Sequence, residues 1–199
     1  MFIIENENKT LNKLEVFFPK TIFYHLTGIV AKDKKEKEYT ANRFYKELIN
    51  GSIDSKALYI KDNTTNLKLK ILNQLIYIDK NAKMLGDFSS TKIYLRTNKV
   101  LGGVNSCMGF VKNNNYEYFI PNTILKEDIR NITINRKKII AIFKREMYEH
   151  VYKNLTYIKK NFQINKILGN KDISKFIDLE NIYSDNPNIK DIIQKFLTN

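Results

Sequence analysis

The residues able to do chemistry in this chain are few and sit at the junctions of apolar runs. Two histidines occur, His25 in FYHLTGI and His150 in MYEHVYK. Thr97 ends the run KIYLRT with Lys99 two residues on, and Asn122, Thr123, Lys126 and Arg130 follow the run YEYFIP. Such side chains suffice for metal-free RNA cleavage, because RNA carries its own 2′-hydroxyl nucleophile and the protein need only move protons and stabilise phosphate charge. Each also has a plain structural reading. His25 could be a hydrogen-bonded core histidine beside a Thr-Gly turn, and His150 a surface residue of a helix. Thr97 and Lys99 could form an ordinary turn. Thr123, just after the strand-stopping Pro121, could cap a short helix. Lys126 and Arg130, four apart, would then share one helix face, either simply solvated or placed to hold a phosphate.

Other chemistries lack their residues. The sequence has no GxxxxGK[ST] or GxGxxG phosphate loop, no HExxH pair and no GxSxG elbow. Its one cysteine, Cys107, excludes an internal disulfide and a multi-cysteine zinc site, and fits a reducing cytoplasm. Glu127 and Asp128 are adjacent rather than gathered from several elements, which is thin for a metal-dependent nuclease. No metal and no cofactor are expected. The formal charge of +13 over 199 residues favours an anionic partner, with nucleic acid first, since phosphate contacts release counterions. The same richness in Lys, Asn and Ile is also what an AT-rich coding sequence yields. No targeting segment and no membrane span are legible, so a protein made and used in the cytoplasm is expected.

The elements that must position these residues are read from periodicity. Four aromatic and β-branched runs, 92–97, 107–112, 116–121 and 138–144, read as an antiparallel meander, with Asn113, Asn114 and Asn115 as a hairpin loop. The segment 14–30 reads as strand or short helix. The segment 32–51 begins as a mixed charge run and becomes helix-like, with Thr40 capping the start and Gly51 the end, and a longer helix is expected over 65–86 with a stripe of Ile71, Leu72, Leu75, Ile78, Ala82 and Leu85. Segments 145–169 and 189–197 also read as helices. The expected fold is therefore α+β, with N-terminal helices packed on a four-stranded antiparallel β-meander and helices at the C-terminal end. The expected division is a domain over 1–145 and a helical extension over 146–199.

The segments FYHLTGI, ILNQLIYIDKNAKMLGDF, LRTNKVLGG, CMGFVK and FIPNTILKEDIRNIT, in that order, resemble the fourth PBECR family, phage and mobile-element proteins grouped with barnase, EndoU, the tRNase colicins and RelE. The likeness runs from about Pro19 to Lys144, and PNTILKEDIR is its most specific piece. It implies a metal-independent, toxin-like endoribonuclease with a BECR-type arrangement of helices and meander. By position it assigns His25, Thr97, Lys99 and Thr123 to catalysis, and Asn122, Lys126, Asp128 and Arg130 to the substrate. His25 would move protons, Thr97 or Thr123 would orient the phosphate, and Lys99, Lys126 and Arg130 would stabilise the developing charge. The implied partners are RNA and an antitoxin or a host or phage protein. The alternative is a catalytically inactive module that keeps the fold and acts by binding nucleic acid or inhibiting a protein.

Overall fold

The computed structural model describes residues 1–197. Its centre is one long strand, β9 (Thr133–Lys144), whose five consecutive apolar residues Ile139–Phe143 are all buried. A strand covered on both faces reads as a continuous apolar run rather than an alternating one. One edge of β9 pairs antiparallel with β1 (Phe2–Glu5), and the other pairs first with β5 (Met84–Phe88) and then with β10 (Asn154–Ile158). From β5 the sheet continues through β6 (Lys99–Gly102), β7 (Cys107–Lys112) and β8 (Phe119–Leu125). On the far flank β1 pairs with β2 (Leu11–Leu14), giving eight strands in all.

The two faces carry different partners. Phe2, Ile4, Leu85, Leu101, Met108, Phe110, Ile139 and Ile142 form one apolar cluster with Leu26 of α1 (Ile22–Thr27), Ile71 and Leu75 of α3 (Thr65–Leu75) and Ile78 of α4 (Ile78–Asn81). On the other face Ile3, Ile140 and Phe143 pack with Leu155 of β10 and the C-terminal residues Ile164, Ile167, Ile173, Ile189 and Ile193. At the β6–β7 end of that second face a smaller cluster joins Val100, Cys107, Ile129 and Ile132. A two-stranded sheet of β3 (Ile29–Ala31) and β4 (Leu58–Ile60) stands beside the helices, with α2 (Ala41–Ile49) between those strands in sequence. Among the described residues no helix is long and apolar enough to cross a membrane.

The expected architecture of N-terminal helices on a four-stranded meander, followed by C-terminal helices, is overturned by this sheet. The chain opens with the β1–β2 hairpin, and the antiparallel sheet, not the helices, dominates. The helix expected over 65–86 stops at Leu75, restarts for one turn at Ile78 and gives way to β5, so Gly86 lies in a strand rather than at a helix end. The stripe nevertheless marks burial correctly, because Ile71, Leu75, Ile78, Ala82 and Leu85 all enter one cluster. KIYLRT is not a strand but an irregular segment, and Tyr94 within it is 90% exposed. The helix expected over 145–169 is replaced by β10 and the short α5 (Asn165–Leu168), with α6 (Lys171–Ser174) just beyond. A bulge explains the misleading spacing. The register shift between Leu155 and Tyr157 puts Leu155 and Ile158, three apart, on the same face, which imitates a helical repeat. The expected helices around 40–49 and 189–197 are present, with Thr40 accepting from the Arg43 N–H at 3.2 Å and α7 (Pro187–Leu197) closing the described chain. Within α2 Phe44 is buried, whereas Leu48 and Ile49 are exposed.

The corner HLTG is built as a joint between two helices. Gly28 ends α1 with φ +71, a conformation that glycine adopts without strain. The buried Thr65 hydroxyl donates to the Gly28 carbonyl at 2.9 Å, and a Cβ at Gly28 would fall 2.7 Å from that oxygen. Thr27 donates to the Tyr24 carbonyl at 3.0 Å and accepts from the Ile29 N–H at 3.2 Å. We predict that Gly28→Ala costs about 1–3 kcal/mol in urea unfolding, through both the positive φ and the crowding of Thr65.

A second joint ties the C-terminal region to the sheet. Tyr152, almost fully buried, donates its hydroxyl to Glu15 at 3.0 Å, and burial pushes its phenol up to about 12. Since the unfolded phenol titrates near pH 10, the native state retains the proton longer. The stabilisation is complete below about pH 10 and is lost as the pH rises toward 12. Between pH 9 and 11.5 the wild type should lose about 1–3 kcal/mol more stability than Tyr152→Phe, read from urea midpoints.

Candidate functional site

The β7–β8 pairing carries an irregularity that creates the site. Gly109 pairs with Thr123, but the next pair is Phe110 with Pro121, so Asn122 is an extra residue in a bulge. Freed from the ladder, its side chain reaches the segment before β6. The Asn122 amide Nδ2 donates to the Arg96 carbonyl at 2.7 Å and to Thr97 Oγ1 at 3.1 Å, while the Thr97 hydroxyl lies 3.2 Å from Asn122 Oδ1. Asn98 fixes the same segment from the other side, accepting from the Lys112 N–H at 2.8 Å and donating its own N–H to the Phe110 carbonyl at 2.8 Å.

Gly109 is the floor beneath this cluster. A Cβ there would meet Thr123 Cγ2 at 2.8 Å and Thr97 Cγ2 at 2.9 Å, so the absence of a side chain is what lets Thr97 close onto the sheet. Gly109 lies in register with Val100, and Val100 with Gly86, which extends a floor of small and β-branched residues across the strands. A cavity of about 380 Å³ lined by Phe88, Ser90, Ile93, Tyr94, Leu95 and Arg96 adjoins it. Neither Arg96 nor Lys126 takes part in an ion pair among the described residues, and both are exposed.

Not all candidates converge here. Leu85 and Leu101 point to the helices, so Asp87 and Lys99, two residues along the same strands, lie on that face, whereas Thr97 and Thr123 lie on the other. Lys99 is ion-paired with Asp87, and Asp87 also accepts from Asn135 Nδ2 at 2.9 Å. Partial burial would raise the Asp87 carboxyl, but the bonds from Lys99 and Asn135 outweigh it and hold the group below the ordinary carboxylate range. Asn135, at φ +49, occupies a bulge of β9 where the register with β5 shifts.

The region after β8 also departs from expectation. Thr123 is a buried strand residue and caps no helix. Asp128 caps a single 3-10 turn, Ile129–Asn131, accepting from the Arg130 N–H at 2.8 Å. The Arg130 guanidinium grips the Asp128 carboxylate through Nε at 3.0 Å and Nη2 at 2.6 Å, and this holds that carboxyl below its usual range. Lys126 and Arg130 therefore do not share a helix face, and Arg130 is already partnered.

His25 is exposed on α1, which packs against β8, the strand that carries Asn122. Its ring meets only Tyr24, at 6.0 Å between centroids, and the structure shows no bond from it to Thr97 or Asn122. His150 is exposed in the turn region between β9 and β10. Cys107 is fully buried and burial pushes its thiol up to about 12, so it is protonated at neutral pH and offers no thiolate. Among the described residues no three His, Cys, Asp or Glu side chains gather as a metal-binding group.

Sequence reasoning passed over Arg96, Asp87, Asn135 and Gly109. Gly109 had a usable signal, since a glycine inside a strand marks close approach of another segment. The pairing of Asp87 with Asn135 bridges 48 positions and has no local signature.

No curated protein and no solved structure matches the chain. The model of one family, PBECR4, described as phage-Barnase-EndoU-ColicinE5/D-RelE like nuclease4, matches residues 1–161. That span takes in every strand from β1 to β10, the bulged Asn122 and the small-residue floor, and the chain thus belongs to the PBECR4 family of nuclease domains.

Proposed function

We propose that this nuclease-family chain is a metal-independent endoribonuclease acting on the face that holds Thr97 and Asn122. The observation that carries the reading is the bulged Asn122, whose bonds to Thr97 and the Arg96 carbonyl fix two polar side chains on a side-chain-free floor next to the unpaired cation of Arg96. Preorganised donors of this kind stabilise charge that develops in a transition state.

In the proposed reaction the RNA 2′-oxygen forms a bond to the adjacent phosphorus and the bond to the 5′-oxygen breaks. Solvent water takes the 2′ proton and protonates the departing oxygen, because His25 stands on α1, which covers the opposite face. Thr97 and Asn122 orient the phosphate, with Thr123 bracing Thr97 across Gly109, and Arg96 and Lys126 oppose the phosphorane charge. Lys99 acts from the other face, holding β5 to β6 through Asp87. Arg130 and Asp128 shape the turn that carries Lys126. The products are a 2′,3′-cyclic phosphate and a 5′-hydroxyl. The proposed role is toxin-like, in a bacterial cytoplasm, on behalf of a phage or mobile element and restrained by an antitoxin; the family's description as a phage nuclease supports the phage and nuclease parts of it.

With total bacterial RNA and excess EDTA, the wild type should cleave and leave cyclic-phosphate ends. Asn122→Ala should lose roughly 10²–10³-fold in rate. His25→Ala should cleave as the wild type does, since α1 covers the opposite face. Products with 3′-hydroxyl and 5′-phosphate ends would contradict the mechanism. Wild-type protein that is folded and binds RNA without cutting it would instead support a binding module.

A further inference from the structure

The hairpin that joins β7 to β8 carries a pair of aromatic rings that the core does not use. Tyr116 and Tyr118 stack at 5.2 Å between centroids with only 10° between their planes, and Phe17 meets Tyr118 edge-on at 5.4 Å. Tyr118 is therefore braced from two sides. Tyr116 is 61% exposed, and among the described residues its ring stacks on Tyr118 and meets no other aromatic ring or cation. Two neighbouring tyrosines ordinarily pack into a core; this outer one is held flat and faces water.

Alternation places the pair on the same side as the candidate site. Val16 packs into the helix-side cluster, so its neighbour Phe17 turns the other way. Phe119 likewise packs toward the helices, and Tyr118 beside it meets Phe17. Thr97 and Thr123 occupy that second face as well. Tyr118, the residue before β8, and Asn122 are four positions apart, on the order of 13 Å at strand spacing. Within the hairpin from Lys112 to Tyr118, Glu117 is the single acid, and the chain as a whole carries +13.

From this arrangement we infer a base-stacking subsite: the exposed face of Tyr116, backed by Tyr118 and Phe17, receives an unpaired base of a single-stranded RNA whose phosphate lies at Thr97 and Asn122. The inference rests on the nucleic-acid reading above and adds that the substrate is unpaired at this position. An aromatic face accepts any base, and a duplex would keep its bases stacked on each other and unavailable. The subsite thus selects loops and single strands without reading a particular base.

The test is fluorescence anisotropy with a labelled, cleavage-resistant 2′-fluoro oligonucleotide, a version of it lacking bases along its length, and a fully paired duplex. Tyr116→Ala should weaken binding of the base-bearing single strand by roughly 5- to 150-fold, while Tyr116→Phe binds as the wild type does. Both variants should match the wild type on the base-free strand, whose binding is electrostatic and falls with salt. The duplex should show no dependence on Tyr116. Equal affinity of wild type and Tyr116→Ala for the base-bearing strand overturns the subsite and leaves the nucleic-acid reading standing. Absence of binding to all three probes at low salt overturns both.

Discussion

Strand β9 bonds along one edge for most of its length, to β5 and then β10, and along the other from Lys138 to Ile142, to β1, and it is covered on both faces at its apolar end. A backbone so placed has its polar groups satisfied within the sheet, and its side chains leave the alternating pattern of a half-exposed strand. The rest of the chain is arranged around it. The N-terminal hairpin, the middle meander and the C-terminal strand each meet the same twelve residues, though they are remote in sequence. Helices α1, α3 and α4 cover one face, and the C-terminal helices cover the other only at the β1–β10 end. That incomplete cover leaves the β6–β8 part of the second face for the segment 89–98 and the candidate site.

The chemistry of that face depends on subtraction as much as on reactive groups. Gly109 removes a side chain where Thr97 of the segment before β6 must lie close, Gly86 does so beside Thr133 of β9, and the bulge at Asn122 adds a residue where a ladder would have held the side chain away. The result is a short polar patch with bonds already made between Thr97, Asn122 and the Arg96 carbonyl. Cations at Arg96 and Lys126 remain uncommitted, whereas Lys99 and Arg130 are bound to Asp87 and Asp128. Charge alone would have ranked these four equally. Partnering separates them, since a cation already neutralised by a carboxylate has less to offer a phosphate.

Much of the local chemistry was legible in the sequence, and the topology was not. Cys107–Lys112 is a strand at its expected bounds, Thr40 caps its helix, and Thr97 and Asn122, assigned from motif positions 25 residues apart, are in contact. Polar residues beside apolar strands are a local signal. The failures share a cause in non-local pairing. The residues 84–88 continue a helical stripe in sequence, yet their backbone is claimed by β6 and β9. The residues 154–158 have helix-like spacing because of a bulge against β9. KIYLRT has strand composition, but it serves as a cover whose Ile93 packs onto Val100, Cys107, Ile129 and Ile132. The first strand lay in MFIIE, whose short apolar start and single glutamate gave no hint that Glu5 would pair with Lys138, 133 residues away. A single sequence shows what a segment can do and not which distant edge needs it.

The central claim is that RNA lies on the Thr97–Asn122 face, opposite the helices. Backbone amide chemical-shift mapping with a non-cleavable 2′-fluoro oligonucleotide tests it most directly. The account predicts shifts concentrated at Arg96–Asn98, Gly109 and Asn122–Thr123, with little change at Asp87, Lys99 and Asn135. Shifts confined to the Asp87–Lys99 face, with Asn122 and Gly109 unmoved, would contradict it.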